Sequence, residues 1–343
     1  MKKIVCLIAI TGILFSCKNT TKDKTEEQEV NVYTHRHYPP DQELFAQFEE
    51  ETGIKVNVIN ASADELIQKM QLEGPTSPAD VLITVDAGRL VRAKEKDLLQ
   101  SIQSSFLDSI IAPHLRDEEK KWFALTKRAR VIAYSKDRID PEQLSTYEDL
   151  ASETWKEKLL IRSSSNIYNQ SLMASLIANL GDEKAKEWAK SIVGNMARDP
   201  KGNDRDQVKA VVAGEGDLAI VNTYYVGRMI NSDDKVESNA GQGVGIYFPN
   251  QNDRGTHVNI SGAGVAKYAP NRENAIKFIE FLASGEAQTV FAEANYEYPV
   301  NPNVKPASLL QSWGSFKEDK LSLSKLGTNN KAAVLLFDEV GWQ

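Results

Sequence analysis

From residue 30 onward the chain alternates short β-branched runs with segments whose apolar residues recur at helical spacing. Runs at 30–33, 55–59 and 80–85 read as strands, with helices at 43–51, 63–72 and 88–99 between and after them. Ser62 followed three residues later by Glu65 forms a capping box for the second helix, and Gly53 stops the first. This β-α-β-α rhythm predicts a first lobe built on a parallel, doubly wound sheet.

The pattern then restarts. A strand at 130–134 follows Trp122 and Phe123, and a strand at 159–161, helices at 170–180, 182–193 and 207–212, and a strand at 218–221 make a second α/β lobe. Runs at 243–248 and 258–266 lead into a helix at 272–282, where Ala275, Ile276, Phe278, Ile279 and Phe281 mark the buried side, and 332–337 reads as a closing helix. Two α/β lobes joined by more than one crossover enclose a cleft, and in such folds ligands bind at strand ends. There is no internal repeat.

The first seventeen residues break the pattern. Lys2 and Lys3 precede an apolar run at 4–15, then Ser16 and Cys17, which reads as a secretory leader. The run is shorter than the roughly 20 residues a bilayer span needs, and no other stretch approaches that length. Leu14-Phe15-Ser16-Cys17 looks like a bacterial lipobox, in which the Cys17 thiol is acylated and residues 1–16 are removed; an ordinary cleavable signal is the alternative. Residues 17–28 then serve as a polar, flexible tether. Both cysteines, Cys6 and Cys17, fall in this leader, so the body has no disulfide. Loss of the leader removes two lysines and no acid, moving the formal charge from −7 to about −9 and arguing against nucleic acid and anionic membrane surfaces as partners. With 41% hydrophobic and 26% charged residues, the 343-residue chain is composed as an ordinary globular protein.

Catalytic signatures are missing. There is no G-x-S-x-G elbow, no glycine-rich phosphate loop ending in lysine and no H-E-x-x-H, and the four histidines are His35, His37, His114 and His257. What stands out is tyrosine in polar settings after strands: Tyr33 to Tyr38, then Arg162 to Gln170 around Tyr168, then Asn222-Thr223-Tyr224-Tyr225. A phenol is ordinarily neutral, but a tightly bound trivalent cation displaces its proton and makes it a hard oxygen ligand. Three phenolates neutralise such an ion; a fourth leaves one negative charge, which Arg36, Arg128 or Arg130 would balance. On chemistry alone the same tyrosines equally suit packing, or stacking on a sugar or amine.

His37-Tyr38, the run 123–131, the run 162–171, the run 222–227, and 248–251 with 255–259 resemble the ferric-iron-binding proteins of ABC transporters, most closely the cyanobacterial type. The similarity runs from about residue 30 to 342. It implies the type II periplasmic-binding-protein fold, two lobes each with a mixed sheet flanked by helices and a cleft between, with no enzymatic step. The domains implied are 29–128 with 256–305, and 129–255 with 306–343. The matching ligand positions are His37, Tyr38, Tyr168, Tyr224 and Tyr225. The cargo implied is ferric iron, Fe(3+), held without an added anion, with ferrous iron, Fe(2+), as the alternative. The partners implied are an ABC permease and ATPase, with the protein a monomer lipid-anchored on the periplasmic side of a bacterial membrane. Rival readings are a type II protein for a polyamine, sugar or oxyanion, and an exported hydrolase. His35 is expected on the surface or behind the ligands, His257 as a structural histidine, His114 solvated, and Tyr296 and Tyr298 packed. Ser163, Ser164 and Ser165 are expected either to cap the following helix or to cradle an anion.

Overall fold

The computed structural model describes residues 28–343; the leader, Cys17 and nearly all of the tether lie outside the described residues. The first half of the fold opens with β1 (Glu29–Thr34), α1 (Pro39–Thr52), β2 (Lys55–Asn60), α2 (Ala63–Glu73), β3 (Val81–Val85), α3 (Ala87–Glu95) and the short α4 (Ser105–Ile110). A 13-residue strand, β4 (Phe123–Ser135), leads to β5 (Leu159–Leu160), α5 (Ile167–Leu180), α6 (Asp182–Asn195), α7 (Asp204–Ala213), β6 (Leu218–Asn222), α8 (Thr223–Ile230), α9 (Lys235–Gly243) and β7 (Val244–Tyr247). The chain then returns through β8 (Val258–Val265), α10 (Arg272–Leu282), α11 (Gly285–Asn295) and β9 (Tyr298–Pro299), and ends in α12 (Ser308–Ser312), α13 (Ser324–Thr328) and α14 (Asn330–Val340).

The strands form a nine-stranded sheet in the order β2-β1-β3-β8-β4-β6-β5, with β7 and β9 also on β4. Its parallel part in the first half is confined to β2-β1-β3, since β8 returns antiparallel to β3 and to β4. The rhythm of the first 70 residues hid this mixture because β8 arrives from a distant part of the chain. β4 joins the halves. Its residues 123–129 pair with β8, whereas 130–134 pair with β6 and 132–135 with β7.

Local expectations are met where the signal is local. Ser62 Oγ accepts the Glu65 N–H at 3.3 Å while the Glu65 carboxylate takes the Ser62 N–H at 2.9 Å, a reciprocal cap worth about 1 kcal/mol. Gly53 ends α1 at φ +70°. Phe45 and Phe48 of α1 meet Phe278 and Phe281 of α10 with ring centroids 5.0–5.4 Å apart.

The helices α4, α8, α9, α11, α12 and α13 were not expected from the sequence, and two departures bear on the site. The strand expected at 130–134 runs from Phe123, because both faces of β4 are covered and its arginines are buried instead of alternating with an apolar face. Tyr224 and Tyr225, expected in a loop, lie in the first turn of α8, which starts directly after β6. Among the described residues no helix is long and apolar enough to cross a membrane.

Candidate metal centre

Four tyrosines converge from three helix starts. Tyr38 is the N-cap of α1, whose first turn is set by Pro39 and Pro40; Tyr168 is the second residue of α5; Tyr224 and Tyr225 are the second and third residues of α8. The positive ends of three helix dipoles therefore face one region, which favours negative charge there. The Tyr168 and Tyr224 hydroxyls are 3.3 Å apart, and the Tyr224 and Tyr225 rings lie tilted by 31° with centroids 4.1 Å apart. His37 stands exposed at the rim, its ring 5.5 Å from that of Tyr38 and its Nδ1 3.4 Å from the His35 carbonyl. Among the described residues no cluster of three His, Cys, Asp or Glu is arranged to hold a metal, and the hard oxygen donors gathered here are phenols.

The arginines differ in what they are free to do. Arg36 is 3% exposed and already paired with Asp41 at 2.9 Å and Glu297 at 3.0 Å, with its guanidinium 4.9 Å from the Tyr38 ring centre. Arg130 is bound to Asp204 and Asn169, both at 2.8 Å. Arg128 is buried; among the described residues its guanidinium makes one hydrogen bond, 3.4 Å to Ser261 Oγ, its Nε and Nη2 have no partner, and it lies 5.4 Å over the Tyr168 ring. Two arginines escaped the sequence reading. Arg162 shares Asp204 at 3.1 Å and lies 5.7 Å from the Tyr168 ring; Arg228 lies 5.3 Å from the Tyr38 ring. Arg228 follows Tyr224 by four residues on α8, so helical spacing was the one available signal. Asp204 and Glu297 escaped as well, because nothing local marks an acid that will be buried against an arginine from elsewhere.

Burial pushes the phenols of Tyr38, Tyr224 and Tyr225 above the usual range. For Tyr38 the nearby Glu297 carboxylate adds to this, while Arg36 and the Tyr224 hydroxyl hold it back. Tyr224 and Tyr225 are raised further by the neighbouring Tyr168, and the Arg128 charge restrains Tyr224. These three phenols are thus held neutral near neutral pH.

The remaining candidates take other places. His35 is brought down to about 4 by burial and by the charge of Arg89, whose Nη1 is 3.4 Å from its Nδ1. His257 is buried and brought down to about 3, and its carbonyl accepts the Arg130 N–H. His114, expected solvated, instead sits 3.0 Å from Glu318. Tyr298 packs edge-on to Phe316. Tyr296, at φ +53°, packs so closely on Gly227 that a Cβ there would come within 2.7 Å of the Tyr296 Cβ. The cap of α5 is Asn166, one residue beyond the serines, whose Oδ1 accepts the Tyr168 N–H at 3.0 Å; Ser163 and Ser165 bond to each other.

Residues 33–289 match the family described as bacterial extracellular solute-binding protein. This chain belongs to that family. Proteins of the family are extracytoplasmic and work with ABC transporters. It is 52% identical to iron uptake protein A1 of Synechocystis sp. over 93% of this chain and 88% of the relative. It is 27% identical to the major ferric iron-binding protein of Neisseria meningitidis serogroup B over 90% of this chain and 92% of the relative. Among solved structures, a Trichodesmium protein (IdiA, FutA) in complex with iron and citrate superposes with TM-score 0.90 at 53% identity, covering 92% of this chain and all of that one. The ferric binding protein from Campylobacter jejuni gives TM-score 0.86 at 46% identity, over 92% of this chain and 100% of its own. The fold is accordingly the two-lobed type II periplasmic-binding-protein fold.

Proposed function

We propose that this protein captures ferric iron outside the cytoplasm and hands it to an ABC importer. The observation that carries the proposal is the convergence of four buried or half-buried phenols, with Tyr168 and Tyr224 at 3.3 Å, beneath arginine charge and without a carboxylate or thiol cluster. Hard oxygen donors that become anionic only when a strong Lewis acid displaces their protons suit a trivalent ion above a divalent one. The ligands in this reading are Tyr38, Tyr168, Tyr224 and Tyr225, with exposed His37 turning in from the rim. Arg128 balances the charge, helped by Arg228 and by Arg130 and Arg162, which share the one carboxylate of Asp204, whereas Arg36 is already answered by Asp41 and Glu297.

In this reading the lobes are 29–128 with 256–305 and 129–255 with 306–343, a division supported by the change of strand partners on β4 between residues 129 and 130. Tyr38 belongs to one lobe and the other three tyrosines to the second, so an ion that engages all four favours the closed arrangement. The names of the relatives, which include iron uptake and ferric iron-binding proteins, support the choice of cargo. Cys17 carries the lipid anchor, the protein acts as a monomer, and its partners are a permease and its ATPase. Adding ferric citrate to the protein is expected to give a red to orange phenolate-to-iron absorption that competes with a chelator. A colourless mixture with no retained iron would refute the proposal.

A further inference from the structure

A buried carboxylate outside the tyrosine cluster ties the two halves of the sheet together. Asp86 follows β3 directly and caps α3, its Oδ1 accepting the Gly88 N–H at 2.9 Å. It is fully buried and has φ +86°, a backbone state that a residue with a side chain keeps only when its surroundings over-determine it. Here they do. The Asp86 N–H reaches the Ile260 carbonyl at 2.8 Å, and Asn259 Nδ2 donates to Oδ2 at 2.8 Å. Asn259 Oδ1 in turn accepts the Ala87 N–H at 2.9 Å. The carboxylate forms no ion pair among the described residues; burial pushes its pKa up, and the charges of Arg128 and Arg89 hold it back.

Its last partner comes from the other half. Ser171 Oγ on α5 lies 2.9 Å from Oδ1 and 2.8 Å from Oδ2. Ser171 follows Tyr168 by three residues, so the two lie nearly above one another on the helix. The second half already holds the start of α5 through Asn169, which accepts from Arg130 and donates to the carbonyls of Arg162 and Ser163. The hydrogen bond from Ser171 to Asp86 adds a fixed point in the first half. Ser175, one turn further along, supplies a natural control: it is as deeply buried, yet among the described residues its hydroxyl has no partner.

We propose that the Ser171–Asp86 bond is a pin that registers α5 against the first half of the sheet and thereby sets the position of Tyr168 in the metal centre. Asp86 and Ser171 are then positioning residues for iron capture, an assignment that rests on the tyrosine reading above. Without the Ser171 hydroxyl, α5 keeps its cap and its apolar packing but loses the hydrogen bond that fixes it to Asp86 at the end of β3.

The test compares Ser171→Ala and Ser175→Ala in the full chain with two readouts. In the metal-free protein, hydrogen exchange of the amides in the first two turns of α5 is expected to quicken by about 10-fold in Ser171→Ala and to stay unchanged in Ser175→Ala. With ferric citrate and a competing chelator, Ser171→Ala is expected to bind iron about 10-fold more weakly, with a displaced phenolate-to-iron absorption maximum, the scale of an outer contact that orients a ligand. Unchanged exchange in Ser171→Ala, or equal changes in both variants, overturns the pin. So does quickened exchange with unaltered affinity and absorption, because Tyr168 would then not depend on it. If the unaltered protein takes up no iron, the reading of the function fails while the exchange arm still judges whether the bond holds α5.

Discussion

The two halves of the cleft meet an incoming cation with opposite electrostatics. Around Tyr38, in the first half, one arginine is answered by two carboxylates, Asp41 and Glu297. Around Tyr168, in the second, Arg130 and Arg162 share the single carboxylate of Asp204. The halves also exchange charge: Arg128, on the part of β4 paired with β8, lies over Tyr168, and Arg228 of α8 lies over Tyr38. In the proposed reading the halves also differ in donors, and that sets an order: the second half supplies three of the four phenols and loads iron first, and Tyr38, alone on the other lobe, completes the site as the lobes meet.

The largest effect expected from that order is in Tyr224→Phe with Tyr225→Phe, which empties the second half of two donors. Competition with a chelator should show ferric affinity falling by more than about 1,000-fold, beyond the roughly 10–100-fold of an outer contact. Retained affinity would mean that the second half is not the loading side.

Next in size is the response to pH. The raised phenols remain protonated until metal displaces their protons, so affinity must fall as pH falls, by about a decade per pH unit for each proton displaced. A chelator-corrected titration between pH 8 and 6 with a slope below two decades per unit would contradict a multi-phenol site. Tyr38→Phe should be milder, keeping a coloured iron complex with a shifted absorption while small-angle scattering shows a less compact iron-bound form. A variant that loses as much ferric affinity as the Tyr224 and Tyr225 double change would invert the order.

Smaller again, Arg162→Gln should weaken iron binding by roughly 10-fold, since it removes one of three charges over Tyr168 but leaves every donor. The least effect is expected in Gly227→Ala, where the new methyl meets Tyr296 and resists close approach of α8 to α11. A few-fold loss of affinity with a more open iron-bound shape would fit; unchanged scattering would remove this contact from the closing surface.

Much of the architecture could be read from the chain because its causes are local. Ser62 and Glu65 cap α2 as their spacing demands, Gly53 takes the left-handed conformation that ends α1, and the Phe278 face of α10 is buried as its periodicity requires. The start of α8 was missed because β6 runs into it without a turn residue, and most of β4 because Arg128 and Arg130 occupy positions that a half-exposed strand would give to apolar residues. The five candidate ligands were named through family resemblance, and the spacing of tyrosines by itself left metal, sugar and packing equally open.

The sequence alone therefore determined the α/β rhythm, the helix caps, the absence of cysteine from the body and the presence of tyrosines just after strands. These follow from backbone sterics and from hydrogen bonds between near neighbours. Only the tertiary structure decided that three helix starts point at one place, that Arg36 is neutralised while Arg128 is left unpartnered, and that Asp86 reaches Ser171 across the join between the halves. Those facts depend largely on contacts between residues far apart in the chain, 56 positions for Tyr168 and Tyr224, 85 for Asp86 and Ser171 and 261 for Arg36 and Glu297, and no local pattern carries the charge balance that such contacts create.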